Sequence, residues 1–131
     1  MFERFAAGAA VASVAIALGA LTVMFVPVPS GPSGAYPLTT LWCFVPALWG
    51  LWALIAPPSW VPQRLPVWGA LLGVIAGTLG VLVLNLPARA FGVQLSFAQR
   101  ILPAGLIVIF YYLLWLLVRR AWETLEAHHA R

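Results

Sequence analysis

Four apolar runs, each roughly 20 residues long and free of formal charge, leave this chain few ways to fold. They are Ala6 to Val26, Leu38 to Ala56, Val67 to Leu86 and Ile101 to Val118. A helix rises about 1.5 Å per residue, so each run is long enough to cross the roughly 30 Å hydrocarbon core of a bilayer. Within the runs the ionisable side chains are Cys43, Tyr111 and Tyr112. A charged group at mid-bilayer costs about 2.5–3.5 kcal/mol on insertion scales and is accepted mainly along ion or proton pathways. The pattern therefore predicts an all-α integral membrane protein. A single domain over residues 1–131 holds four transmembrane helices, about 6–26, 38–56, 67–86 and 101–118, in a compact bundle.

Charge carries the next step. Only 8% of the 131 residues are charged. A soluble domain carries about three times that share, because its surface must be solvated by water. The three acidic residues are Glu3, Glu123 and Glu126, and the seven basic ones are all arginine. A pI near 10.3 would suggest nucleic acid if the arginines clustered. They instead punctuate the apolar runs, so no nucleic-acid partner is expected. Arg4, Arg64, Arg119, Arg120 and Arg131 fall on one side of the expected topology, and Arg89 and Arg100 on the other. The positive-inside tendency then places both termini in the cytoplasm of a bacterial inner membrane. The first run is longer than the apolar region typical of a signal peptide, so no cleavage is expected.

The connections differ in kind. Residues 27–37 are uncharged and rich in Pro and Gly, which predicts a non-helical loop. Residues 56–66 read as a stiff turn with Trp60 at the interface. Residues 87–100 alternate apolar and polar positions around Val93, Leu95 and Phe97, which suits either an extended segment or one lying in the interface. The tail after Val118 reads as a continuation of the fourth helix. Pro46 should kink the second.

Small residues mark where helices can approach. Gly69, Gly73 and Gly77 recur every four residues and share one helix face. Gly8, Ala12, Ala15 and Gly19 make a similar stripe in the first run. Helices in lipid associate through close van der Waals contact at such stripes, so the two faces should pack on each other or on a partner. Trp42, Trp49, Trp52 and Trp115 read as packing or lipid-facing groups, and Cys43 as a small side chain of the membrane core. Thr78 and Asn85 read as interhelical hydrogen-bonding or capping residues. His128 and His129 are neighbours on a helix, do not share a face, and make a poor metal pair. No catalytic set, cofactor site or metal site can be assembled from these residues, so the chain reads as a non-enzyme without a cofactor.

Gly34-Ala35-Tyr36-Pro37, directly after a first spanning helix and followed by Gly50 in the second, resembles the small membrane subunit of tripartite tricarboxylate transporters, the TctB type. The resemblance runs from the N-terminus to the neighbourhood of Ile55. It implies that Gly34, Tyr36 and Pro37 form the turn opening the second helix. It also implies a large permease-like membrane partner and a periplasmic protein that delivers a carboxylate. The expected function is that of a small accessory membrane subunit of a multi-subunit transporter. The alternative is a haem-free anchor or accessory subunit of a membrane-bound oxidoreductase complex.

Overall fold

A computed structural model describes the backbone of residues 2–25 and 31–129, and within these the side chains of all but 23, 24, 31–41, 90, 91 and 129. Every regular element among the described residues is helical. The order is α1 (Phe2–Phe25), α2 (Gly31–Leu54), a single 3-10 turn (Pro58–Trp60), α3 (Leu65–Gly77) continued by a π-helical segment (Thr78–Val83), α4 (Leu86–Phe91) and α5 (Phe97–His129). Three stretches are long and apolar enough to cross a membrane: Phe2–Thr22, Leu65–Val83 and Phe97–His128. Within α2 the apolar stretch Trp42–Leu54 is shorter.

Several expected boundaries shift, each for a local reason. Helix α2 begins at Gly31 rather than 38, so the Gly34–Pro37 segment is helical instead of a loop or turn. Pro32 sits in the first helical turn, where its missing N–H has no helical partner to lose. Pro37 and Pro46 lie inside α2, and the backbone stays helical across both. The first connection is thus reduced to residues 26–30, which lie outside the described residues.

The third run does not end at Leu86 as an α-helix. Its ladder widens at Thr78 to π-type bonding, in which each N–H reaches back five residues. The Leu84 N–H accordingly donates to the Leu79 carbonyl at 2.8 Å. Asn85 then turns the chain with φ of 49°. Among non-glycine residues asparagine tolerates this left-handed region best. Pro87 lies in the first turn of α4, and Gly92 ends the helix at φ of 68°. The Gly92 N–H donates to the Ala88 carbonyl at 3.0 Å, satisfying an acceptor left open at the helix end. The connection is therefore a short helix followed by an irregular stretch over 92–96.

Helix α5 starts at Phe97, four residues ahead of the expected 101, because Ser96 and Gln99 form a reciprocal cap. The Ser96 N–H donates to Gln99 Oε1 at 2.9 Å, and the Gln99 N–H donates to Ser96 Oγ at 3.4 Å. Helix α5 is 33 residues long. At the usual rise that gives about 50 Å of helix, well beyond the hydrocarbon thickness. Its tail past Val118 stays helical, and Arg119 pairs with Glu123 one turn on at 2.8 Å.

The helices run alternately up and down. At one end the Arg4 guanidinium lies over the Trp122 ring, 5.9 Å from its centroid, so the start of α1 meets the end of α5. Gly8 of α1 faces Trp49 and Ala53 of α2, while Gly69 of α3 faces Trp115 of α5. The α2–α3 connection therefore shares this end with the start of α1 and the tail of α5, and α4 occupies the opposite end. Contacts are densest between α3 and α5 and between α1 and α2, and α1 crosses α5 to join the two pairs.

The core alternates tryptophan with small residues. Trp49, Trp115 and Trp122 are buried together with Ala7, Ala12, Ala53, Ala56, Leu65 and Val118. The outer surface is equally apolar: Phe44 is 61% exposed, Leu102 71% and Val83 65%. An apolar exterior of this kind, on helices long enough to cross a membrane, suits a hydrocarbon surround. Cys43 is exposed on this apolar surface.

Candidate functional site

The glycine stripe of α3 is used up inside the fold. A Cβ at Gly69 would overlap Trp115, one at Gly73 would lie 2.9 Å from the Tyr111 Cβ and 3.0 Å from the Val108 Cα, and one at Gly77 would lie 2.9 Å from the Ala104 carbonyl oxygen. All three glycines therefore seat α5 directly on α3, with backbone as the contact surface at two of them. The α1 stripe packs elsewhere. A Cβ at Gly8 would lie 2.8 Å from the Trp49 carbonyl oxygen of α2, and Ala12 is buried at 1% exposure. The two stripes thus pack on different neighbours, not on each other. Gly50 has a further role that the resemblance did not supply. Its missing side chain admits Phe5 of α1, whose ring would lie 2.6 Å from a Cβ there.

Two tryptophan clusters hold α2 in place. Trp49 contacts Tyr111 with ring centroids 5.1 Å apart and Trp115 at 5.6 Å. Trp115 is fully enclosed between Trp49 and Gly69, and its indole nitrogen lacks a hydrogen-bond partner, so it acts as a steric knob. Trp52 and Trp68 form a closed reciprocal pair. The Trp52 Nε1–H donates to the Trp68 carbonyl at 2.9 Å, and the Trp68 Nε1–H to the Trp52 carbonyl at 2.8 Å. Their rings stack at 4.7 Å, with Trp60 set edge-on to Trp68 at 5.9 Å. Both of these half-buried indole donors are thereby satisfied without water.

These clusters clamp α2 to α3 and α5 at the end shared by the termini. Toward the other end α4 packs against α2, and between that contact and the tryptophan clusters an apolar cleft of about 520 Å³ opens among the helices. Trp49 and Tyr111 form its floor, and Leu86 and Pro87 of α4 close its far end. Ala12, Ala15 and Gly19 keep the α1 wall low, and the Trp42 ring lies 3.7 Å from where a Gly19 Cβ would be. Tyr111 is the one ionisable side chain among the described residues lining it. A shallower crevice of about 260 Å³ runs along the α1–α5 crossing and shares Ala15 and Leu114 with the cleft.

The remaining polar candidates fall outside this cleft. Asn85 stands at the N-cap position of α4 but makes no side-chain cap, and its buried Oδ1 lacks a hydrogen-bond partner. Its contribution is conformational, not the capping expected of it. Thr78 opens the π-helical segment and is exposed. His128 is exposed near the end of α5, and no group of three or more metal-binding side chains occurs among the described residues. The side chains of Gly34, Tyr36 and Pro37 lie outside the described residues.

Sequence reasoning missed the cleft because its lining comes from five helices. The one signal available was the string Gly77-Thr78-Leu79-Gly80, a second glycine register that weakens regular helix packing beyond Gly77. No protein-family model, no curated protein and no solved structure matches this chain.

Proposed function

We propose that this chain is a small accessory subunit of a multi-subunit transporter in the bacterial inner membrane. It crosses the bilayer four times, with α2 as the remaining span and both termini in the cytoplasm. The observation that carries this reading is the character of the interior. The space between the helices is lined by hydrocarbon and aromatic faces, with no charged side chain among the described residues. Ion-coupled transport requires ligands or charged relays at membrane depth, so the translocation step belongs to a larger permease-like partner. The resemblance of the Gly34–Pro37 region points to carboxylates as the cargo class. Contact with the partner runs through lipid-exposed helix faces, since the glycine stripe is already engaged.

The orientation rests on the arginines. Arg4, Arg64, Arg119 and Arg120 belong to the end where the start of α1, the α2–α3 connection and the tail of α5 meet, and Arg89 and Arg100 to the end of α4. That excess assigns the first end to the cytoplasm.

Two measurements test the reading. Purified chain in liposomes should give no proton- or sodium-driven carboxylate uptake by itself, and uptake without any partner overturns the accessory role. Alkaline phosphatase fusions should be active after Ser30 and inactive after Gln63 and Arg131. Equal activity at Ser30 and Gln63 would mean that α2 does not cross.

A further inference from the structure

We propose that the cleft is a binding site for one anionic phospholipid, with an acyl chain lying in the cleft and the headgroup at the α4 end. The inference rests on residence in a bilayer and not on which assembly the chain joins.

Size selects the occupant first. The cleft has a volume of about 520 Å³. That falls within the range of roughly 300–1,000 Å³ typical of ligand sites. A partner helix is about 10–12 Å across, and Leu86 and Pro87 of α4 stand at the end of the cleft where such a helix would have to continue. A hydrocarbon chain makes contact at about 4 Å between carbons and fits between Trp42, Trp49, Phe110 and Tyr111. Interiors are close-packed, and apolar voids of this kind do not hold water. In a bilayer the molecule at hand to fill the space is a lipid tail.

Access and charge then select the lipid class. The crevice along the α1–α5 crossing lies beside the cleft, with Ala15 and Leu114 lining both, so apolar space flanks the cleft on its α1 side. At the far end α4 contributes Leu86 and Pro87 to the lining and carries Arg89 in its last turn. Arg100 follows in the first turns of α5, held by its Nε–H donating to the Leu95 carbonyl at 3.1 Å. The acidic residues Glu3, Glu123 and Glu126 belong to the opposite end of the fold, so the α4 end is purely cationic in its formal charge. That arrangement matches a phosphate headgroup and offers nothing specific to a neutral isoprenoid.

The test uses the full chain reconstituted in phosphatidylcholine vesicles containing phosphatidylglycerol with brominated acyl chains. Bromine quenches tryptophan on contact, and Trp42 and Trp49 line the cleft. After extraction into mild detergent without brominated lipid, the wild-type protein should keep part of the quenching and about one phosphatidylglycerol per chain. Ala76→Phe and Ala15→Phe, which fill the cleft, should each lower the retained lipid about tenfold. Ala17→Phe, on the exposed face of α1, should retain it, and a cooperative thermal transition in each variant shows that it folds. Arg89→Gln should abolish the preference for phosphatidylglycerol over phosphatidylcholine while the cleft still holds a chain. Loss of all quenching from the wild type on extraction overturns the proposal. So does undiminished retention in both folded cleft variants, a preference that survives Arg89→Gln, or retention of a co-purified isoprenoid quinone in place of phospholipid.

Discussion

Gly69→Ala is the smallest change that tests how α3 and α5 are joined. The added methyl would overlap Trp115 at its Cγ and Cβ, atoms close to the α5 backbone that a rotamer change barely moves. On its far side the Trp115 ring is backed by Trp49, with centroids 5.6 Å apart, and the residue is 0% exposed, so it has no space to retreat into. Restoring ordinary carbon–carbon contact therefore means parting the two helices by on the order of 1–2 Å. Overpacking of this kind costs about 1–3 kcal/mol, and a site with no escape belongs at the upper end. Alanine recovers up to about 1 kcal/mol in helix propensity over glycine. Taken together, the two effects leave a net loss of roughly 1–2 kcal/mol. That corresponds to a fall in Tm of about 3–10 °C for a chain of this size. The assay is thermal unfolding in mild detergent followed by near-UV circular dichroism, which reads the packed tryptophans. Combining the change with Trp115→Leu should cost less than the sum of the two single changes, because leucine vacates the space the methyl needs. A Gly69→Ala protein that melts at or above the wild-type temperature, or strict additivity in the double variant, would refute this account of the α3–α5 contact.

Gly73→Leu should reach the membrane at normal levels, since leucine inserts more favourably than glycine. Its melting temperature should fall by more than that of Gly69→Ala, because the Val108 backbone blocks relief. Leu71→Ala is the matching control on the exposed face of α3 and should melt within a degree or two of wild type. Leu72 packs against the core and is unsuitable for that purpose. Trp68→Phe deletes one of the two reciprocal bonds and leaves the Trp52 carbonyl without its indole donor. It should cost about 0.5–1.5 kcal/mol, seen as a lower Tm. Arg119→Gln removes an exposed ion pair and should leave Tm unchanged within error, since such pairs contribute under about 1 kcal/mol.

Length and hydropathy are local quantities, so the chain's helical class was legible from residues alone. Three of the four apolar runs reappear as helices long enough to cross a membrane, because an uninterrupted apolar run has no other way to satisfy its backbone in hydrocarbon. The glycine spacing was legible for the same reason: Gly69, Gly73 and Gly77 share a face whatever that face meets. The partner of that face was not legible, since α3 and α5 are far apart in sequence and nothing in the spacing names Trp115, Tyr111 or Ala104. Proline misled at residues 31–37, where helix rules written for water assumed that a loop would win. The Ser96–Gln99 cap was present in the residues and extends α5 toward its start. Only the tertiary structure decided the cleft. It exists because the Trp52–Trp68 clamp joins α2 to α3 at one end and α4 meets α2 at the other, leaving the space between them unfilled. A void is set by the difference between two packings, and that difference belongs to no single stretch of sequence.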